Sequence, residues 1–221
     1  MSCDSLGQPL RSIWHWLTNM ATTTSSDPIG NGTTVYFGYG SNLWRHQMQQ
    51  RCPTSKYLGI ARLKGYRWII NERGYANVVE IPSDSATEEK HSYSHEVWGL
   101  VYSLQKNDEE RLDRNEGVPI AYTKEDLEVD FWPAQSGKPP KVDGDAKRTE
   151  MLVYINRKMV SPDEPKTEYI YRMNMGIADA VKEGMPKEYV KQVMRKFIPN
   201  VEDEFVEDVA RKQAQVFEDE C

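Results

Sequence analysis

The sequence predicts an α+β fold, a compact mixed β-barrel or sheet with short flanking helices and a helical C-terminal part. Three observations lead there. Segments rich in aromatic and β-branched residues recur with a period of two between Thr34 and Ile155. Helical periodicity takes over only from Thr167 onward. Strands first and helices afterwards is the pattern of α+β domains, and 221 residues suit one such domain.

The first 33 residues stand apart. MSCDSLGQPLRSIWHWLTNM lacks the basic start and long apolar stretch of a secretory signal, although SIWHWL is apolar enough to dock as a helical turn. ATTTSSDPIGNGTT reads as a Thr/Ser/Gly-rich linker. The expected organisation is therefore a flexible extension over 1–33 and a single domain over 34–221.

TVYFG (34–38) is the first strand. It leaves through GYGSN (38–42), and NLWRHQMQQ then reads as a helix that Ser41 or Asn42 can cap. YLGIAR, YRWII and ANVVEI are the next strands, followed by the polar loop PSDSATEEKHSYSHE and the strand EVWGLVYSL. In SLQKNDEERLDRNEGV, Asn107 and Glu110 resemble a capping box, Leu112 is the apolar contact, and Gly117 is the stop residue that puts Glu116 in the last turn. EDLEVDFW and EMLVYI are the last strands, separated by the loop PAQSGKPPKVDGDAKR. Loops of this length are often mobile or functional. In TEYIYRMNMGIADAVKEG, Met173, Ile177 and Val181 share one helical face. Gly184 stops that helix and Pro186 starts another, on which Tyr189, Val193 and Phe197 recur every fourth residue up to Pro199. The charged run from Val201 reads as a solvated helical face.

Charge and composition exclude several classes. A net charge of −6 argues against a nucleic-acid or anionic-membrane partner, since either wants clustered Lys and Arg. No apolar run approaches the roughly 20 residues of a membrane helix. The odd set Cys3, Cys52 and Cys221 contains no CxxC pair or disulfide framework, so a reducing, cytoplasmic setting is expected. RCP around Cys52 offers no neighbouring histidine, which favours a half-buried thiol over a nucleophile. His91 and His95 have a spacing that metals use, but they sit in a polar loop with no third ligand nearby. The expectation is no metal and no cofactor. No nucleophile-elbow or Ser-His-Asp order is present either.

Two stretches remain. A strand feeding a helix through Gly-Tyr-Gly-Ser exposes backbone N–H groups that suit an anion or a developing oxyanion, while the alternative is a tight capped turn with nothing bound. The turn has neither the Lys-Ser/Thr ending of a P-loop nor the third glycine of a dinucleotide fingerprint. Glu116, at the negative end of a helix, is disfavoured as an anion, and burial in an apolar cleft would add to that. A carboxyl group poised in this way suits a proton shuttle, whereas the alternative is a solvated carboxylate at a helix end.

Four motifs in order, VYFGYGSNL, EVWGLVYSL, LDRNEGV and EYIYRMNMGIADAVKEGMPKEYVKQV, resemble those of the γ-glutamylcyclotransferases. The likeness runs from Thr34 to Pro199. It implies a compact mixed barrel with helices and release of 5-oxoproline from γ-glutamyl compounds. It implies substrate binding by Tyr36, Phe37, Gly38, Tyr39, Gly40 and Ser41, proton shuttling by Glu116, and a substrate contact from Tyr169, seven residues before Gly176. Gly38 stands where some members have alanine, and the two polar loops are longer than in compact members. In such a reaction the substrate's own α-amine attacks its γ-carbonyl, so no catalytic Ser or Cys is needed. The expected partner is a small γ-glutamyl molecule such as glutathione, with no nucleic acid or membrane and with a homodimer as the candidate assembly. Two other readings stay open: the same chemistry on a larger glutathione conjugate, which the longer loops would suit, and a ligand-binding relative without turnover.

Overall fold

A computed structural model describes residues 32–82, 93–135 and 138–200. The seven period-two segments are strands β1 (Thr34–Gly38), β2 (Lys56–Lys64), β3 (Tyr66–Ile70), β4 (Ala76–Glu80), β5 (Glu96–Leu104), β6 (Thr123–Pro133) and β7 (Lys147–Ile155). Helices α1 (Arg45–Arg51), α2 (Lys106–Asn115), α3 (Thr167–Lys182) and α4 (Lys187–Gln192) complete the described elements with three short 3-10 turns.

Five strands close a barrel in the order β1-β5-β2-β6-β7, and β3 and β4 form a separate two-stranded sheet. The seam is parallel, with Tyr36 of β1 opposite Leu152 of β7, and every other barrel pairing is antiparallel. The barrel accounts for the sequence patterns. β5 is buried from Val97 to Leu104, as its nearly continuous apolar run requires, whereas the first half of β6 keeps an exposed, charged face. This is the α+β mixed barrel the sequence predicts. No helix among the described residues is long and apolar enough to cross a membrane.

Three local expectations are corrected. Asn42 does not open an α-helix: Ser41–Leu43 form one 3-10 turn, and Trp44 turns extended (ψ 106°) before α1 begins. Neither Ser41 nor Asn42 caps a helix with its side chain, because both are drawn into a buried network. Asp179 of α3 serves the end of α1 instead, accepting from the Arg45 N–H at 3.1 Å. In α2 the helix starts at Lys106 with Gln105 before it, so Asn107 lies inside the first turn and no capping box forms. The helix after Pro186 ends at Gln192. Val193 breaks it and a tighter 3-10 turn follows, bringing Met194 and Ile198 fully inward.

The stop signals hold. Gly117 takes φ +63° and Gly184 φ +104°, and the Gly184 turn closes with Met185 N–H donating to Ala180 C=O at 2.9 Å. Met173 and Ile177 are buried on the inner face of α3, as the periodicity predicts. The second long loop is tied down where it is described, by a Gln135–Lys138 bridge and by Trp132 Nε1 donating to Gly144 C=O at 2.8 Å. The N-terminal extension through residue 31, His91 and the acidic C-terminal segment lie outside the described residues.

Candidate active site

The end of β1, the turn that follows it and the end of α2 meet at one cleft. Its lining includes Tyr36, Tyr39, Gly40, Ser41, Asn42 and Glu116. Tyr75 and Ala76 reach it from the β3–β4 side, Tyr122 and Tyr154 from the start of β6 and the end of β7, and Tyr169 from α3.

Glu116 is placed by how α2 stops. It is the last residue with helical backbone (φ −88°, ψ −1°), and the left-handed Gly117 follows. Val118 N–H donates to Asp113 C=O at 2.9 Å and Gly117 N–H to Arg114 C=O at 3.1 Å, the paired bonds of a glycine-ended helix. The chain is locked on both sides of Glu116, and its side chain is carried into the cleft at 9% exposure.

There Glu116 Oε1 accepts from Asn42 Nδ2 at 3.0 Å. The same amide donates to the Tyr36 hydroxyl at 2.9 Å. On its other side Asn42 Oδ1 accepts from Gln47 Nε2 at 3.0 Å and from Arg51 Nη1 at 3.3 Å. Arg51 Nη1 also lies 4.0 Å from Glu116 Oε1, with 4% of its side chain exposed. Ser41 Oγ accepts from Gln47 Nε2 at 2.9 Å and from the buried Arg172 at 3.4 Å. The site's acid therefore sits in a polar network with an arginine next to it. That cation opposes the effect of the helix end, which the sequence alone made the main influence on Glu116.

Burial first and the nearby Glu116 charge second push the Tyr36 phenol well above its usual range. Burial, then the bond to Asp113, pushes Tyr154 up as well, its hydroxyl donating to Asp113 Oδ1 at 2.7 Å. Both remain neutral donors at physiological pH.

The turn contributes less backbone than its sequence suggests. Leu43 and Trp44 N–H groups close the 3-10 turn on Gly40 and Ser41 carbonyls. Ser41 N–H donates to the Tyr169 hydroxyl at 3.2 Å, and Ala76 N–H donates to the same oxygen at 3.3 Å. Gly40 is needed for that approach: a Cβ there would stand 2.8 Å from the Tyr169 hydroxyl. Tyr39 lines the cleft but commits its hydroxyl to the Tyr154 carbonyl at 2.6 Å.

Among the sequence-selected residues, Tyr36, Tyr39, Gly40, Ser41, Glu116 and Tyr169 come together at the cleft. Phe37 and Gly38 do not line it. Phe37 points to the opposite side of β1 from Tyr36 and is fully buried in the core, a consequence of strand alternation. Gly38 lies behind the lining, where an added Cβ would meet the Tyr36 ring at 3.3 Å. Cys52 is fully buried rather than half-buried, with its sulfur 3.5 Å from the Asp108 carbonyl.

The profile of the family described as Gamma-glutamyl cyclotransferase, AIG2-like matches residues 36–172, more than half of the 221 residues. The chain belongs to this family. The matched span holds every residue of the cleft, from Tyr36 to Tyr169. Gamma-glutamylcyclotransferase of Bos taurus is 30% identical over 38% of this chain and 44% of its own. The Homo sapiens protein of the same name is 28% identical over 45% of this chain and 53% of its own. The chain thus spans about half the length of the curated relatives it matches. A solved structure named Gamma-glutamyl cyclotransferase shares the fold at a TM-score of 0.58 and 24% identity, covering 81% of this chain and 99% of that one.

For a member of the γ-glutamylcyclotransferase family, the residues that sequence reasoning missed are mostly the supports. Gln47 and Arg51 are four apart on α1 and both face inward, beside the buried Met48. Two long polar residues at that spacing on an otherwise apolar face were the available signal. Tyr75, Tyr122 and Tyr154 gave no local signal, because tertiary folding brings them in from three separate segments.

Proposed function

We propose that the protein is a γ-glutamylcyclotransferase that cyclises the γ-glutamyl group of a small γ-glutamyl peptide, amine or conjugate, glutathione included, releasing 5-oxoproline and the free amine. The observation that carries this reading is the placement of Glu116. One buried carboxyl group is held by Asn42 at 3.0 Å in an aromatic cleft, facing the turn that ends β1.

The chemistry needs a single proton carrier. Glu116 takes a proton from the substrate's α-ammonium. The amine nitrogen then attacks the γ-carbonyl carbon of the same molecule, forming the lactam C–N bond and a tetrahedral oxyanion. The ring nitrogen gives up its second proton to solvent, and as the oxyanion collapses the bond to the leaving nitrogen breaks and Glu116 returns its proton to that nitrogen. Because nucleophile and electrophile share one molecule, orientation supplies much of the rate. Tyr36, Tyr39, Tyr75 and Tyr169 provide the walls. A tyrosine hydroxyl that contacts the substrate is that of Tyr169 rather than Tyr39, whose O–H is committed to the Tyr154 carbonyl.

The test is direct. The purified protein is incubated with glutathione and with a panel of γ-glutamyl amino acids, amines and glutathione conjugates, and 5-oxoproline is measured. Release from at least one, slowed roughly 10²–10⁴-fold in Glu116→Gln, is expected. A wild-type chain that binds these compounds and releases none would be a non-catalytic relative, and the reading would fall.

A further inference from the structure

Arg51 has no task in the proton transfers just described, yet it is built into their centre. It lies on the last turn of α1 at 6% exposure. Its Nη1 donates to Asn42 Oδ1 at 3.3 Å and stands 4.0 Å from Glu116 Oε1. Its Nε and Nη2 are buried without hydrogen-bond partners. A guanidinium in a protein does not lose its proton, so a buried one demands a negative neighbour. Glu116 occupies that place.

The arginine also decides which way Asn42 points. Guanidinium groups only donate, so the Asn42 atom facing Nη1 must be the carbonyl oxygen. The amide nitrogen then necessarily faces Tyr36 and Glu116, and it donates to both. Gln47 Nε2 adds a second donor on the carbonyl side.

Resting on the cyclotransferase reading, we propose that Arg51 is a positioning residue. It keeps Glu116 ionised and, by fixing the Asn42 amide with its donor side toward Glu116, aims the carboxylate into the cleft as the base of the first proton transfer.

The cleft's other guanidiniums are engaged elsewhere, Arg172 of α3 by Ser41 Oγ and Glu168 and Arg73 over the Tyr75 and Tyr122 rings. Tyr36 on β1 and Tyr154 on β7 are neutral phenols, and the Cys52 thiol after α1 is pushed up to about 12 by burial and the Asp108 charge. Asp113 on α2 accepts from Tyr154 and is paired with Lys124 of β6 at 3.1 Å. Glu116 itself ends α2, where the helix dipole disfavours a negative charge. Without Arg51 the carboxyl group would hold its proton to higher pH.

The experiment compares Arg51→Met and Arg51→Lys with wild type by the pH profile of kcat/KM for 5-oxoproline release. An opposite charge within about 4–6 Å moves a carboxyl titration by roughly 1–3 pH units. Arg51→Met should therefore move the acid limb up by at least about one unit, losing tenfold or more at pH 6 and much less at pH 8.5. Arg51→Lys should keep the limb near its wild-type position at a reduced maximum. A folded Arg51→Met whose rate falls equally at every pH would make the role merely structural and overturn the proposal. An independent readout is the carboxyl carbon signal of Glu116 in wild-type protein labelled with 13C-glutamate and assigned by its loss in Glu116→Gln. It should report an ionised group at pH 6, and a protonated one there would overturn the proposal even if Arg51→Met fails to fold. If wild type releases no 5-oxoproline at all, the proposed function falls while this titration still decides the role of Arg51.

Discussion

Asn42 Nδ2 donates to Glu116 Oε1 over 3.0 Å, joining the turn after β1 to the end of α2. The bond ties the turn side of the cleft to the helix end that holds its buried carboxyl group. Glu116 is therefore held by its partners as well as by its backbone.

That arrangement makes Glu116→Gln informative. The Gln carbonyl can still accept from Asn42, so the geometry should survive, but no proton can be shuttled near pH 7. Turnover should fall by roughly 10²–10⁴-fold. Because Arg51 loses its counter-charge, stability should fall too, by about 1–3 kcal/mol, while ligand binding persists. Rate, thermal unfolding and calorimetric binding are measured on one preparation. Retention of more than about a tenth of the rate would place the shuttle elsewhere.

Gly40→Ala should damage binding more than folding. The new methyl would lie 2.8 Å from the Tyr169 hydroxyl and 3.2 Å from Ala76 Cβ. Tyr169 would have to leave the two backbone N–H groups that hold it. KM should rise at least several-fold, with a stability loss of about 1–3 kcal/mol from overpacking. An unchanged KM would show that Tyr169 does not contact the substrate.

Gly176→Ala should reverse the usual sign of a helix substitution. Within α3 the change would ordinarily gain about 1 kcal/mol. Here the added Cβ would stand 2.9 Å from Leu43 Cβ and 3.0 Å from Trp44 N. The clash is largely with the backbone of the site's own turn, which cannot move aside as a flexible side chain would. A net loss of about 1–2 kcal/mol is expected, visible as a lower melting temperature together with lower activity. A variant more stable than wild type would mean that α3 and the turn are loosely packed.

Cys52 should resist alkylation. Burial, followed by the Asp108 charge, pushes its thiol up to about 12, so little thiolate exists at pH 8. Peptide mapping after iodoacetamide treatment should find Cys52 unmodified in the native protein and labelled in urea. Rapid native labelling would show that the α1–α2 packing opens readily.

The strands were legible because their signal is local: TVYFG, YRWII and EVWGLVYSL announce themselves by composition and alternation. Gly117 and Gly184 were legible for the same reason, since positive φ at a helix end selects glycine. The starts of α1 and α2 were not. Asp179, distant in sequence, serves the end of α1, and no inspection of GYGSN reveals that. The cleft divides in the same way. Glu116 and Tyr169 stand in recognisable motifs. Phe37 stands in the same motif without lining the cleft, because a motif carries its whole run of letters whereas a strand sends alternate residues to opposite faces. Arg51 and Gln47 were overlooked because buried polar residues gain their meaning only from partners across the fold.

The parallel seam between β1 and β7 sets a timetable for synthesis. β1 emerges first among the strands, but its partners are residues 100–104 of β5 and Leu152 of β7. At about 5–20 residues per second the ribosome takes on the order of ten seconds to deliver the second of these. Until β5 is made the apolar run Val35-Tyr36-Phe37 has neither barrel neighbour, and until β7 is made it has only one, so it stays open to a chaperone on the nascent chain. Slowing translation between β5 and β7 should lengthen that exposure and lower the yield of folded protein without altering a single residue.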